Sequence, residues 1–159
     1  MTRTVAREIA VRLCFALSEN PVDPKELLDD VFEAEYYSNL KAEDELYGDM
    51  PNRKQLEYIT RLVTGVCQHS AELDGYIEKY AVGWKFSRIS RTAVAIMKVA
   101  MFEALYMPDV PDKAAINEAV ELAKRYEAPE TVPFINGVLG SFVRAELGAG
   151  AETEATDGG

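Results

Sequence analysis

From Arg91 to Met107 the chain reads Arg-Thr-Ala-Val-Ala-Ile-Met-Lys-Val-Ala-Met-Phe-Glu-Ala-Leu-Tyr-Met, and no other segment limits the possible folds as strongly. A helix this apolar on nearly every side has no face to offer water, so it is stable only when other helices surround it. Lys98 and Glu103 interrupt the run, which is also too short to span a bilayer. A central core helix is therefore expected, ended by Pro108 and Pro111.

The surrounding helices are legible as amphipathic patterns, and strand signals are nearly absent. Residues 4–18 place Val5, Ile9, Leu13, Ala16 and Leu17 on one face at helical spacing. Asp23-Pro24-Lys25-Glu26 is a helix start, with Asp23 as N-cap, Pro24 at the first position and Glu26 completing a capping box. That helix is expected to run to about Tyr37, followed by a polar linker over residues 38–51. A long helical region from about Arg53 to Tyr80 carries Leu56, Ile59, Leu62, Val63, Val66, Leu73 and Ile77, with Gly65 or Gly75 as candidate kinks. Gly83 and Trp84 mark a break, and a short helical turn is expected near Phe86–Ser90.

After the prolines, Asp112 is expected to cap a helix whose stripe is Ile116, Ala119, Val120 and Ala123, with Glu121 paired to Arg125 outside. Glu127-Ala128-Pro129 leads into a last helix from about Glu130 to Leu147. The fold class is all-α: two small helical bundles, about seven helices, in one domain over residues 1–147. Its subdomains are expected at about 1–81 and 84–147, joined at Gly83. The tail 148–159 holds no large apolar residue and is expected to be disordered.

A chain of 159 residues can bury one good core. The net charge of −10 argues against nucleic acid until its distribution is considered. Residues 23–49 hold ten acids against Lys25 and Lys41, so the remainder carries only −2. Two windows are positive: residues 1–18, with Arg3, Arg7 and Arg12 against Glu8, and the stretch holding Lys79, Lys85, Arg88, Arg91 and Lys98. No apolar run follows a basic start, which implies a cytoplasmic protein without a membrane partner. Cys14 and Cys67 are expected to be free thiols.

Catalytic chemistry is hard to assemble from these residues. His69 is the sole histidine and has only Cys67 near it, whereas structural zinc wants four ligands. There is no phosphate-cradling glycine loop, no nucleophile elbow and no Cys/His pairing placed for attack. The carboxylates of 23–49 lie on an amphipathic helix and a loop, where a solvated face is the default. No catalytic residue, metal or cofactor is expected, and an enzyme is not.

Two phrases stand out: Ala115-Ile116-Asn117-Glu118-Ala119-Val120-Glu121-Leu122-Ala123-Lys124 and Phe134-Ile135-Asn136-Gly137-Val138-Leu139. Each puts an asparagine among aliphatic residues of a helix. A half-satisfied buried amide costs about 1–3 kcal/mol, so such a residue fixes a packing geometry or touches a partner. Asn117, Glu118 and Asn136 are expected to tie helices together through buried or half-buried hydrogen bonds.

These phrases, with Ala6-Arg7-Glu8 near the start and the Trp84, Arg88-Ile89 and Arg91–Glu103 block, resemble the NusB-type transcription antitermination factors. The likeness covers about half of the chain, and residues 20–60 share only helical character. It implies an RNA-binding protein that is not an enzyme. Such factors pair with a small-subunit ribosomal protein, NusE, and together hold single-stranded boxA RNA. With RNA polymerase and other Nus factors they promote read-through of ribosomal RNA operons.

By resemblance, Arg3 and Arg7 belong to an arginine-rich RNA-binding helix to which Arg12 adds charge, and Tyr126 and Phe134 are aromatic residues facing RNA. Arginines would supply salt-sensitive phosphate contacts, and aromatic faces about 1–3 kcal/mol per stacked base. Lys85, Arg88 and Arg91 would meet partner or RNA, or form salt bridges to the acidic helix. Family members often carry a denser N-terminal basic cluster, so weak RNA affinity without the partner is expected. Two other readings are a helical module that binds only protein, and a detached RNA-binding domain of an rRNA methyltransferase-like protein. The sequence does not choose an oligomeric state or a role for the acidic 23–49 segment.

Overall fold

The computed structural model describes residues 1–148. The expectation of a disordered tail, from residue 149 on, lies outside the described residues. Among the described residues all regular structure is helical, with eight α-helices and one 3-10 turn where about seven helices were expected. No helix among them is long and apolar enough to cross a membrane. The chain forms two compact units that divide between Gln68 and His69.

The first unit holds α1 (Arg3–Glu19), α2 (Pro24–Val31), α3 (Ala34–Glu43) and α4 (Arg53–Gln68). Thr2 starts α1, its hydroxyl accepting from the Val5 N–H at 3.1 Å. α1 packs on α4, and Ile9, Leu13, Ile59, Leu62 and Val63 are buried in the core of the unit. Full burial of such a side chain contributes about 1.5–3 kcal/mol. Asp23 caps α2 as the sequence implies, accepting from the Lys25 N–H at 3.3 Å.

The single helix expected to reach Tyr37 is instead two. The Glu33 carboxylate accepts from the Glu35 N–H at 2.7 Å and the Tyr36 N–H at 3.4 Å, starting α3 where α2 has ended. Residues 38–43 of the expected 38–51 linker are therefore helix. Tyr37 is buried, with its hydroxyl donating to the Asp49 carbonyl at 3.3 Å and its ring edge-on to Tyr47. Asn52 and Gln55 exchange backbone–side-chain hydrogen bonds of 2.9 and 2.8 Å, a reciprocal box at the start of α4.

The second unit holds α5 (Ser70–Tyr80), the 3-10 turn Phe86–Arg88, α6 (Arg91–Tyr106), α7 (Asp112–Tyr126) and α8 (Thr131–Glu146). α6 packs against α5, α7 and α8, as a helix without a polar face must. Ile96, Met97 and Met101 are fully buried there, and so is the Glu103 side chain. Ser90 caps α6, accepting from the Ala93 N–H at 3.0 Å and donating to Glu127 at 2.7 Å.

Four local expectations are corrected. The break in the long 53–80 region falls at His69, not at Gly65 or Gly75, and the unit boundary falls there rather than at Gly83. The cause is packing: α5 lies on α6 and α8, so it belongs with them. Asp112 is the first residue of α7 with Pro111 at the cap position, and there its charge favours the helix N-terminus. Glu121 pairs with Lys124 at 2.7 Å, three residues on, in place of Arg125.

Candidate nucleic-acid interface

The three arginines of α1 have three different environments. Arg3 is exposed, its guanidinium carbon 4.3 Å from the centre of the Tyr58 ring. Arg7 is buried at 5% exposure, farther along the same ring at 5.8 Å. Arg12 donates to the Asp44 carboxylate at 2.5 Å and lies 3.8 Å from that of Glu8.

Arg3 and Arg7 therefore do not share an exposed face: residues 6–11 are buried without interruption, and Arg7 and Glu8 go in with them. Alanines at 6 and 10 allow close approach, and a long arginine stem can lie along an aromatic ring while the helix is enclosed. Arg12 spends its charge on acids, and its hydrogen bond to Asp44 holds that carboxyl below its ordinary value, helped by the Leu46 N–H. Of the three, Arg3 is the most exposed.

In the second unit, Gly83 adopts φ +83, the left-handed conformation that side chains rarely take. The Trp84 N–H closes the turn on the Ala81 carbonyl at 3.0 Å. This turn delivers Trp84 onto Phe134 of α8, ring centres 4.3 Å apart and planes tilted by 36°. Trp84 remains 49% exposed, an unusual state for tryptophan unless something uses its surface.

Lys85 and Arg88 are exposed beside Trp84 and, with Gly83, line an open pocket of about 580 Å³. Neither forms an ion pair among the described residues, so the salt bridges envisaged for these two are not made. An aromatic face flanked by cations is the chemistry that single-stranded nucleic acid requires. The sequence points to Phe134 and the two cations, whereas Trp84 enters there as a break and as part of the family likeness, not as a site residue. A large aromatic directly after an exposed glycine turn was the available signal.

Tyr126 ends α7, half-buried. The asparagines depart from expectation. Asn117 and Asn136 are exposed, and neither carboxamide is hydrogen-bonded among the described residues. They line one groove of about 520 Å³ between α7 and α8, with Val120, Glu121, Lys124, Val132 and Pro133. The reason is a rotation of the buried stripe. α7 buries Ala115, Ala119, Leu122 and Ala123, leaving Ile116 and Val120 half-exposed and turning Asn117 outward. Glu118 is half-buried.

A second polar cluster joins α5 to α6. His69 stacks on Tyr106 with ring centres 4.3 Å apart, and its Nδ1 lies 3.3 Å from Glu72. The Tyr106 hydroxyl donates to Glu72 at 2.6 Å; this bond, then burial and the Glu72 charge, pushes its pKa up to about 12. Lys98 is bonded to Asp74 at 2.9 Å and to Ser70 at 2.7 Å. Among the described residues no group of three or more His, Cys, Asp or Glu is placed to hold a metal, and neither Cys14 nor Cys67 is in a disulfide.

Comparison with known proteins places this arrangement. The model of the NusB family matches residues 4–144. The transcription antitermination protein NusB of Acetivibrio thermocellus is 40% identical over 147 residues, covering 92% of each chain. Among solved structures, T. maritima NusB superposes with a TM-score of 0.71 at 23% identity, over 91% of this chain and 92% of that one. A chain from the crystal structure of antitermination factors NusB and NusE in complex with dsRNA gives 0.71 at 21% identity, over 90% and 96%.

Proposed function

This chain belongs to the NusB family, and on that premise we propose that it is an RNA-binding transcription antitermination factor. With a NusE-type ribosomal protein it would hold single-stranded boxA RNA in the RNA polymerase complex with other Nus factors, promoting read-through of ribosomal RNA operons. It acts by binding alone, without catalysis, and does so in the cytoplasm.

The observation that carries this reading is the half-exposed Trp84 stacked on Phe134 beside Lys85 and Arg88. The aromatic pair offers a face to a base, and the two cations meet the phosphates on either side. Arg3 adds a phosphate contact in the first unit. Because the cations are few, the partner protein supplies much of the affinity.

A gel shift with boxA RNA tests this, using the full chain alone, with the ribosomal protein, and as a W84A/R88A variant. A ternary complex that weakens about tenfold or more in the variant is expected, since one stacked base is worth about 1–3 kcal/mol. If the two proteins associate and RNA never joins them, the chain is a protein-only helical module and the reading fails.

A further inference from the structure

Asn117 and Asn136 stand in the second turn of α7 and α8, past the cap positions, where asparagine disfavours the helix. Neither is buried or hydrogen-bonded among the described residues, so packing does not account for them. Gly137 follows Asn136 within α8, and a Cβ added there would meet nothing within 4 Å, so close packing does not explain the glycine either. Three residues of one patch weaken their helices with no return inside the fold. Local rules are broken in this way where a surface serves a ligand.

The groove and the aromatic shelf lie on the two flanks of the exposed side of α8, because Asn136 and Phe134 are two residues apart on that helix. Gly137 lies one turn beyond both Pro133 and Phe134, so bare helix backbone connects the groove edge to the ring that stacks on Trp84. The groove offers phosphates little, because Lys124 is bonded to Glu121. It offers two carboxamides, each with a donor beside an acceptor, between the apolar side chains of Val120 and Val132. That combination matches the edge and face of an unstacked nucleobase.

We propose that Asn117 and Asn136 are specificity residues that hydrogen-bond the edge of one base of the bound RNA, on the strand that crosses α8 from the nucleotide stacked on Trp84 and Phe134. This rests on the RNA-binding reading above and adds to it which groups read sequence. Lys85 and Arg88 hold the strand without reading it, and the asparagines choose it.

The test is fluorescence anisotropy of the full chain with its ribosomal-protein partner, on boxA RNA and on a scrambled RNA of equal composition, across a salt series. Wild type should prefer boxA. In N117A/N136A that preference should fall by roughly 5- to 150-fold, the range of a bidentate amide–base pair. Affinity for the scrambled RNA and the salt slope should stay as in wild type, because no phosphate contact is removed. A variant that keeps the preference, or a wild type that binds both RNAs equally, overturns the inference and leaves the RNA-binding reading standing. Loss of ribosomal-protein binding in the absence of RNA also overturns it, and makes the groove a peptide site. Absence of any RNA binding by wild type with its partner overturns both.

Discussion

Arg12 of α1 and Asp44, the residue that ends α3, are joined at 2.5 Å with both side chains partly exposed. This contact ties the acidic part of the first unit to its core helix. Asp44→Asn keeps the acceptor for the Leu46 N–H but loses the charge, and should cost about 0.5 kcal/mol at neutral pH, as screened pairs do. The sign of the pH dependence follows from the lowered carboxyl. In the unfolded chain it titrates at its ordinary 3.8, so the contribution is full above that value and is lost as pH falls through the lower folded value. Urea midpoints of wild type and D44N should therefore differ at neutral pH and converge in acid. A gap that persists at the acid end would show that Asp44 acts through something other than its charge.

Arg3 and Arg7 should separate RNA binding from folding. Arg7→Ala removes a buried guanidinium and should lower stability by about 3 kcal/mol. Arg3→Ala removes an exposed group over Tyr58 and should cost only about 0.5 kcal/mol. RNA affinity of the ternary complex should fall in R3A with a shallower salt dependence. Denaturation curves and a salt series on both variants check this; equal stability losses would mean that Arg7 is not held as described.

The contrast between these arginines shows where sequence was legible. α6 could be read because a helix that is apolar all round leaves no choice about burial. Asp23-Pro24-Lys25-Glu26 could be read because capping chemistry is local, and the Asn52/Gln55 box was open to the same reasoning. Arg7 could not, because enclosure of a charged residue is decided by neighbouring helices. Asn117 could not either: with alanines on one flank and Ile116 and Val120 on the other, the stripe of α7 fits two rotations one residue apart, and packing on α6 and α8 selects one. Of the site, Phe134, Lys85 and Arg88 were identifiable in the chain. Their meeting with Trp84 depended on the left-handed Gly83, a tertiary event.

Tyr106 and Glu72 supply a prediction at the alkaline end. The tyrosine's ordinary pKa is 10.0 and here is pushed up to about 12, first by its hydrogen bond to Glu72. A raised folded value means that the stabilisation is fully present below 10.0 and is lost as pH rises through about 12. Wild type should exceed Tyr106→Phe in stability by a constant margin up to that window, and the margin should then close. Ultraviolet titration of tyrosinate should show one fewer late-ionising group in Y106F than in wild type, where Tyr37, Tyr47, Tyr76 and Tyr80 are also raised. A Glu72→Gln variant in which Tyr106 still ionises late would exclude the Glu72 bond as the cause.

Gly137 is where stability and function should part most visibly. An alanine there meets no neighbour within 4 Å and sits in ordinary helical backbone, so only its propensity counts. Gly137→Ala should stabilise the chain by about 1 kcal/mol, raising Tm by about 2–4 °C. The same methyl would stand between the Asn136 groove and the Phe134 ring, on the surface across which a bound strand passes. Affinity of the partner-bound chain for boxA RNA should fall while the protein itself becomes more stable. Thermal melts and anisotropy on this one variant decide it. A melt that rises with RNA affinity unchanged would mean that the strand does not cross α8 at this point, and a melt that drops would mean that the glycine serves the fold after all.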